Sequence, residues 1–369
     1  MQGLMEVLTP HITRCRVVVF DLLYSSSLPR ITEFRGNAKE LRTLKMKSRY
    51  PGTIATDSTQ LSTFNPIPRR KPAVFTCRNL QYLDLDGHIF MEATRIPGWD
   101  VSLRGLYRKH LTVYNLTSSD MRPNSRFDLR DFLFALSKLD HLRMLTLINV
   151  DLDSASCLGC NLITIFIQNF HFIGLSRHFI PAFFANHDNK IEVSSLILDR
   201  CELGEVQYLA AWKMTLKNIA QEEDITAFVS HWDGIGLNFN NCPGLNDEVI
   251  NLLTELEPPK MVNFYGPTLR QLNISSCGPV SVKAIKNLVY MREVESNVHD
   301  PTVDEGPGLP MFSIWVDNTD IPIAYPDKMW LLGKLDIFTW YIKPVLSDSP
   351  VLDWDCSRMD LSQVRLAMG

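Results

Sequence analysis

Leu142-Arg-Met-Leu-Thr-Leu147 reads apolar-x-x-apolar-x-apolar, and the same hexad returns along the chain. It recurs as Leu41-Arg-Thr-Leu-Lys-Met46, Leu80-Gln-Tyr-Leu-Asp-Leu85, Leu111-Thr-Val-Tyr-Asn-Leu116, Leu162-Ile-Thr-Ile-Phe-Ile167, Val193-Ser-Ser-Leu-Ile-Leu198 and Leu269-Arg-Gln-Leu-Asn-Ile274. Weaker copies are Gly234-Ile-Gly-Leu-Asn-Phe239 and Met311-Phe-Ser-Ile-Trp-Val316. One hexad is a chance pattern, whereas a series of them is a repeat. Side chains alternate along a strand, so the last two apolar positions of each hexad point the same way into a shared core.

Three copies place a cysteine three residues beyond the last apolar position: Cys201, Cys242 and Cys277. After two of them the pattern turns helical. Asn246 is an N-cap candidate before the face Val249, Leu252, Leu253, and Ser281 before the face Ala284, Ile285, Leu288. Strand, turn and covering helix form one leucine-rich repeat. A repeat that cannot bury its face alone must stack on its neighbours. The expected fold is therefore α/β, a leucine-rich-repeat solenoid with a curved parallel sheet and with helices and loops on the convex side. Starts of successive hexads lie 20 to 42 residues apart, so the repeats are irregular. The excess is expected in loops at Arg49 to Lys71 and Asn297 to Pro310, rich in Pro, Gly, Ser, Thr or Asp. Residues 1–40 are expected to cap the array, 41–320 to form it, and 321–369 to supply a closing cap and tail. Arg16 to Leu23 is apolar on both faces and reads as a buried strand. Asp327 to Ile342 reads as a final helix and strand.

Composition narrows the function. Of 369 residues 45% are apolar and 21% charged, an ordinary globular balance. The formal net charge of −4 argues against a nucleic-acid binder driven by phosphate contacts. No apolar run reaches the roughly 18 residues of a membrane helix; the nearest, Leu162 to Leu175, is interrupted by Gln168, Asn169 and His171. The N-terminus lacks the pattern of a secretory signal, and eight scattered cysteines do not make a disulfide scaffold. A cytoplasmic or nuclear location is expected.

The chain resembles the F-box/leucine-rich-repeat proteins of mushroom-forming fungi. The likeness is carried by Pro10-His11-Ile12, Arg14-Cys15-Arg16, Tyr24-Ser-Ser-Ser-Leu-Pro29, Leu41 and Leu44, the hexads, and the closing block from Asp327-Lys-Met-Trp330 to Phe338-Thr-Trp340. The resemblance implies the substrate-reading part of a receptor for a ubiquitin ligase. In that family an F-box of about 45 residues precedes this region and docks on a Skp-type adaptor. Here Met1 begins directly in the segment that follows it, so that adaptor is not an expected partner.

Chemistry-bearing clusters have weaker support. Cys157-Leu-Gly-Cys160 lacks the second ligand pair of a zinc site. Asp84 with Asp86, His231-Trp-Asp233 and Asp353-Trp-Asp355 are site-like in composition, but Asp84 and Asp86 are expected as solvated or partner-facing charges on the open face of a strand. There is no phosphate-binding loop, nucleophile elbow or His-Glu-x-x-His. No catalytic residue, metal or cofactor is expected. Cys201, Cys242 and Cys277 are expected as small buried apolar groups. The remaining surface is the concave face, whose columns are charged or polar at both ends and apolar in the middle. Tyr82, Asp84, Val113, Met144, Ile148, Phe166, Ile197 and Asn238 are the candidate contacts for another protein, with the apolar members as anchors inside a polar rim.

Overall fold

The computed structural model describes residues 2–50, 75–95, 109–117, 127–139, 142–154, 163–186, 193–204, 206, 209–255, 265–266, 268–298 and 310–343. A short helix α1 (Gln2–Leu8) leads into β1 (Val17–Tyr24) and β2 (Thr43–Tyr50). Then come β3 (Tyr82–Asp86), α2 (Gly87–Arg95), β4 (Lys109–Thr117), α3 (Leu129–Ser137), β5 (Leu142–Asp151) and β6 (Asn169–Ile173). They are followed by α4 (Phe179–Asn186), β7 (Val193–Asp199), β8 (Leu209–Lys217), α5 (Glu222–Val229), the two-residue β9 (Trp232–Asp233) and β10 (Gly236–Asn240). The chain closes with α6 (Asp247–Leu252), β11 (Gln271–Ser275), α7 (Val282–Val298), β12 (Ser313–Thr319), α8 (Tyr325–Lys334) and β13 (Ile337–Ile342).

All strands join one open sheet in chain order, every pairing parallel, with β9 set aside against β8. The hexads produce it through in-register stacking. Leu44 pairs with Leu83, Leu145 with Phe170, Leu196 with Met214, and Leu272 with Ile314. The helices add Phe132, Phe183, Phe228, Val249 and Ile285 to the same continuous core. At β6 and α4 the filling is aromatic: Phe170, Phe172, Phe183 and Phe184 meet with ring centroids 5.3 to 6.1 Å apart. Asn246 caps α6 through the N–H groups of Glu248 and Val249, and Ser281 accepts from Ala284 N–H at the start of α7, as expected.

From β4 to β12, the two-residue β9 aside, a second regularity appears two residues beyond each strand's second core residue. Asn115, Asn149, Gly174, Arg200, Asn218, Asn241, Ser276 and Asn318 all have φ between 51° and 62°. Left-handed backbone is costly for most side chains, and Asn and Gly carry it most cheaply. The turn aims each N–H at the next strand: Asn218 donates to Asn240 O at 2.9 Å, Asn241 to Ser275 O at 2.8 Å, Ser276 to Asp317 O at 3.0 Å. The next residue drops into the core at Leu116, Val150, Leu175, Cys201, Ile219 and Cys242, whereas Cys277, expected to be buried, and Thr319 are half-buried near the C-terminal end of the array. In the core Cys201 and Cys242 donate their thiols to Phe172 O and Leu216 O of the preceding repeats. Burial raises the Cys201 thiol to about 11. Cys242 and Cys277 do more than fill space. Their thiols share a hydrogen bond that lowers Cys242 to about 7 and raises Cys277.

Several expectations are corrected. The hexad at Leu111 is three residues out of register: Leu111 and Val113, not Tyr114 and Leu116, pair with Leu83 and Leu85. The hexad at Leu162 precedes its strand, whose core residues are Phe170 and Phe172. Ala211-Trp-Lys-Met-Thr-Leu216 is a further repeat outside the expected series, with Met214 and Leu216 paired to Leu196 and Leu198. β1 is buried on one face only; Val17 and Val19 stand 59% and 54% exposed because, in register with Thr43 and Lys45, they point to the open face of the sheet. Helix α7 extends to Val298, past the expected loop start at Asn297. The closing helix and strand are found as α8 and β13.

Candidate binding face of the sheet

The residues that alternate with the core positions form three columns on the face away from the core. Register, not hexad spacing, assigns them. Across β2 to β8 the middle column reads Lys45, Asp84, Thr112, Thr146, His171, Ile197, Thr215. One flanking column runs Tyr114, Ile148, Ile173, Asp199, Lys217, and the other Tyr82, His110, Met144, Asn169, Ser195, Lys213. The polar-ended, apolar-centred face read from the sequence is present, with changed membership.

Tyr82 is exposed, and Met144, Ile148, Ile197 and Asn238 are half-buried in the expected columns. Val113 is not a surface residue. The three-residue register shift turns it into the core, where it is fully buried. Phe166 is 63% exposed but precedes β6, outside the columns, because the strand begins at Asn169. Tyr114, His171 and Ile173 take the vacated places. Asp84 and Asp86 are buried rather than solvated, at 6% and 0% exposure. Lys45 Nζ closes over Asp84 at 2.9 Å. Asp86 accepts from the hydroxyls of Ser25 and Ser48 and from His88 N–H, so its charge is satisfied inside the protein.

The N-terminal side of the face is aromatic and charged. The Tyr82 and His110 rings stack at 4.8 Å, and Lys47 Nζ stands 5.5 Å from the Tyr114 ring centre. Burial lowers His110 below its ordinary value, helped by Arg143 and opposed by Asp84. Burial, reinforced by Asp84, raises the Tyr114 phenol to about 12. In the centre, burial lowers His171, so this imidazole joins the apolar group as a neutral ring near pH 7. On the far side Asp199 is enclosed by Arg200 at 3.3 Å, Asn218 at 2.7 Å and Lys217 at 4.0 Å. Beyond it an amide ladder, Asn273 to Asn238 to Thr215, occupies Asn238 in bonds of 2.6 and 3.1 Å. Trp315 and Tyr341 end the face with ring centroids 5.9 Å apart.

The other candidates hold structural places. Trp232 is buried with its indole N–H on Ala211 O, and Asp233 accepts from Thr268. Cys157, Cys160, Asp353 and Asp355 lie outside the described residues, as does most of the Arg49 to Lys71 segment. Among the described residues no group of three His, Cys, Asp or Glu could hold a metal, and no helix is long and apolar enough to cross a membrane. A cleft of about 670 Å³ lies in the helical layer by α6, α7 and α8, with Lys286 held by Asp327 at 2.7 Å and over Trp330 at 5.1 Å.

No known family model matches the sequence, and comparison with curated proteins and with solved structures gives no match. The architecture defines an α/β protein with one open, all-parallel sheet whose strands follow the chain.

Proposed function

We propose that the chain is a leucine-rich-repeat protein that binds another protein on the open face of its sheet and catalyses no reaction. One observation carries this reading. Tyr114, Met144, Ile148, Ile173 and Ile197 form a half-buried apolar centre on neighbouring strands, with charged and amide-bearing side chains on either side. An apolar centre with a polar rim is the usual form of a protein-binding patch. The titratable groups at hand favour the same reading. Asp84 and Asp199 are held by cations, and His110 and His171 are neutral rings, so none has the nucleophile–base pairing of a catalytic site.

The family resemblance adds the setting of a ubiquitin-ligase substrate receptor; a free-standing scaffold or inhibitor would use the same face. A photocrosslinking side chain placed at Ile148, compared with one at Lys283 on the helical side, tests the site. A discrete protein adduct from Ile148 alone, competed by unlabelled chain, is expected. Equal adducts from both positions would defeat the proposal. Stoichiometric co-purification of a Skp-type adaptor would favour the ligase setting over the scaffold.

A further inference from the structure

The charges on this face are not distributed evenly between inside and outside. In each ion pair that borders the apolar centre, the carboxylate is the buried partner and the cation the exposed one. The Asp84 side chain is 8% exposed against 45% for Lys45, and that of Asp199 is 11% against 44% for Lys217 and 66% for Arg200. Lys47 and Lys213 add two exposed ammonium groups, the stem of Lys213 lying along Gly236. What a partner meets over β2 and β3 and over β8 is chiefly positive, the exposed Asp21 on β1 lying one strand farther out beside Lys47 and paired with Arg49 at 3.7 Å, although the whole chain carries a net charge of −4.

The two flanks are evenly placed about Met144 and Ile148, the β5 members of a centre that spans β4 to β7. Lys45 and Lys47 lie on β2, Met144 and Ile148 on β5, and Lys213 and Lys217 on β8, so three strand steps separate β5 from each flank. At about 4.8 Å per step each flank is about 14 Å from β5, and an extended peptide covers that in about four residues. Aspartate or glutamate at those distances would meet ammonium groups that the protein's own carboxylates leave exposed, while an apolar side chain between them would enter the patch.

Resting on the function proposed above, we infer that the partner is an acidic protein segment crossing the strands in extended form, with a large apolar residue flanked about four positions away on each side by carboxylates. Complementary charge at the rim sets encounter rate and selects against basic competitors, and the apolar anchor holds the complex.

Selection of a displayed library of random twelve-residue peptides on the full-length chain tests the inference, with recovered peptides measured by fluorescence anisotropy. The expected winners carry an apolar residue between two acidic positions at that spacing. They should lose binding to Ile148→Glu, bind the Lys47→Glu/Lys213→Glu variant about fivefold more weakly, and weaken with added salt. Winners that depend on Ile148 but have basic or uncharged flanks would overturn this inference and leave the binding face standing. Winners indifferent to Ile148→Glu, or no winners at all, would overturn both. Circular dichroism of each variant separates a lost contact from a lost fold.

Discussion

The first three strands and the strands from β4 onward solve one problem, how to end a parallel strand at the same edge of the sheet, in two different ways. From β4 to β12 the solution is local. A single left-handed residue turns the chain, its N–H bonds the next strand, and the following side chain, as far as Cys242, fills the core. In β1 to β3 no described residue adopts that conformation at the strand end. There a buried carboxylate does the work: Asp86 gathers Ser25, Ser48 and the first turn of α2 around itself, residues that lie 61, 38 and 2 positions away. The local device fails one repeat at a time. The buried network ties three segments into one fate.

That contrast is most severely tested at Asp86. Asp86→Ala leaves two buried hydroxyls and a helix N–H without their acceptor, and should cost about 4 kcal/mol in urea unfolding. Amide exchange should rise together across β1, β2 and β3. A loss confined to β3 would show that the network does not bind the three segments. Leu196→Ala, in the fully buried core of the array, should cost about 3 kcal/mol, with exchange rising chiefly in β6, β7 and β8. At the turn itself, Asn218→Ala should cost about 1.5 kcal/mol and Asn218→Gly less, since glycine keeps the conformation and loses only the side-chain bonds. Equal losses from alanine and glycine would mean that the left-handed backbone is not what holds the turn.

The smallest effects are those of pH, one on each side of the β4–β5 boundary. His171 is held below the ordinary 6.5, so the unfolded chain takes up its proton first. The contribution is present above pH 6.5 and is lost as pH falls through the folded value. Tyr114 is held at about 12 against an ordinary 10, so its contribution is present below pH 10 and is lost as pH rises through 12. Melting temperatures of His171→Asn between pH 7.5 and 5, and of Tyr114→Phe between pH 9.5 and 11.5, should each change less across its range than those of the unaltered chain.

What was legible in the sequence follows the same division. The repeats, the closing helix and strand and both helix caps depend on neighbours within a few residues, and periodicity or capping chemistry reveals them. At Leu111 and Leu162 the hexad is out of register because its pattern accepts any apolar residue in its outer positions, and Leu116 and Ile167 are buried for other reasons. Alignment on Asn115, Asn149, Gly174, Asn218 and Asn241 instead would have set these strands correctly, exposed the repeat at Ala211, and moved Val113 inward. Asp86 had no such signal. A carboxylate that spends its bonds on Ser25 and Ser48 looks, in one dimension, like any acidic residue at a strand end. Asp84 is illegible for the same reason: Lys45 covers it from the neighbouring strand, 39 positions back in the sequence.

Because strand order never departs from chain order, no segment waits for a distant one before it can dock. Such an array grows from any stable pair of repeats and opens from its ends, so rates of folding and opening are set by adjacent interfaces rather than by long-range search. Its two outer strands both expose apolar side chains but are held differently. Ser25, directly after β1, is bound into the Asp86 network with Ser48 of β2, whereas β13 is held among the described residues by β12 and by contacts within its own repeat, such as Trp340 N–H on Ile321 O. Opening should therefore begin at β13 and run toward β1, giving the molecule a direction in time that its sheet, drawn as a static object, does not display.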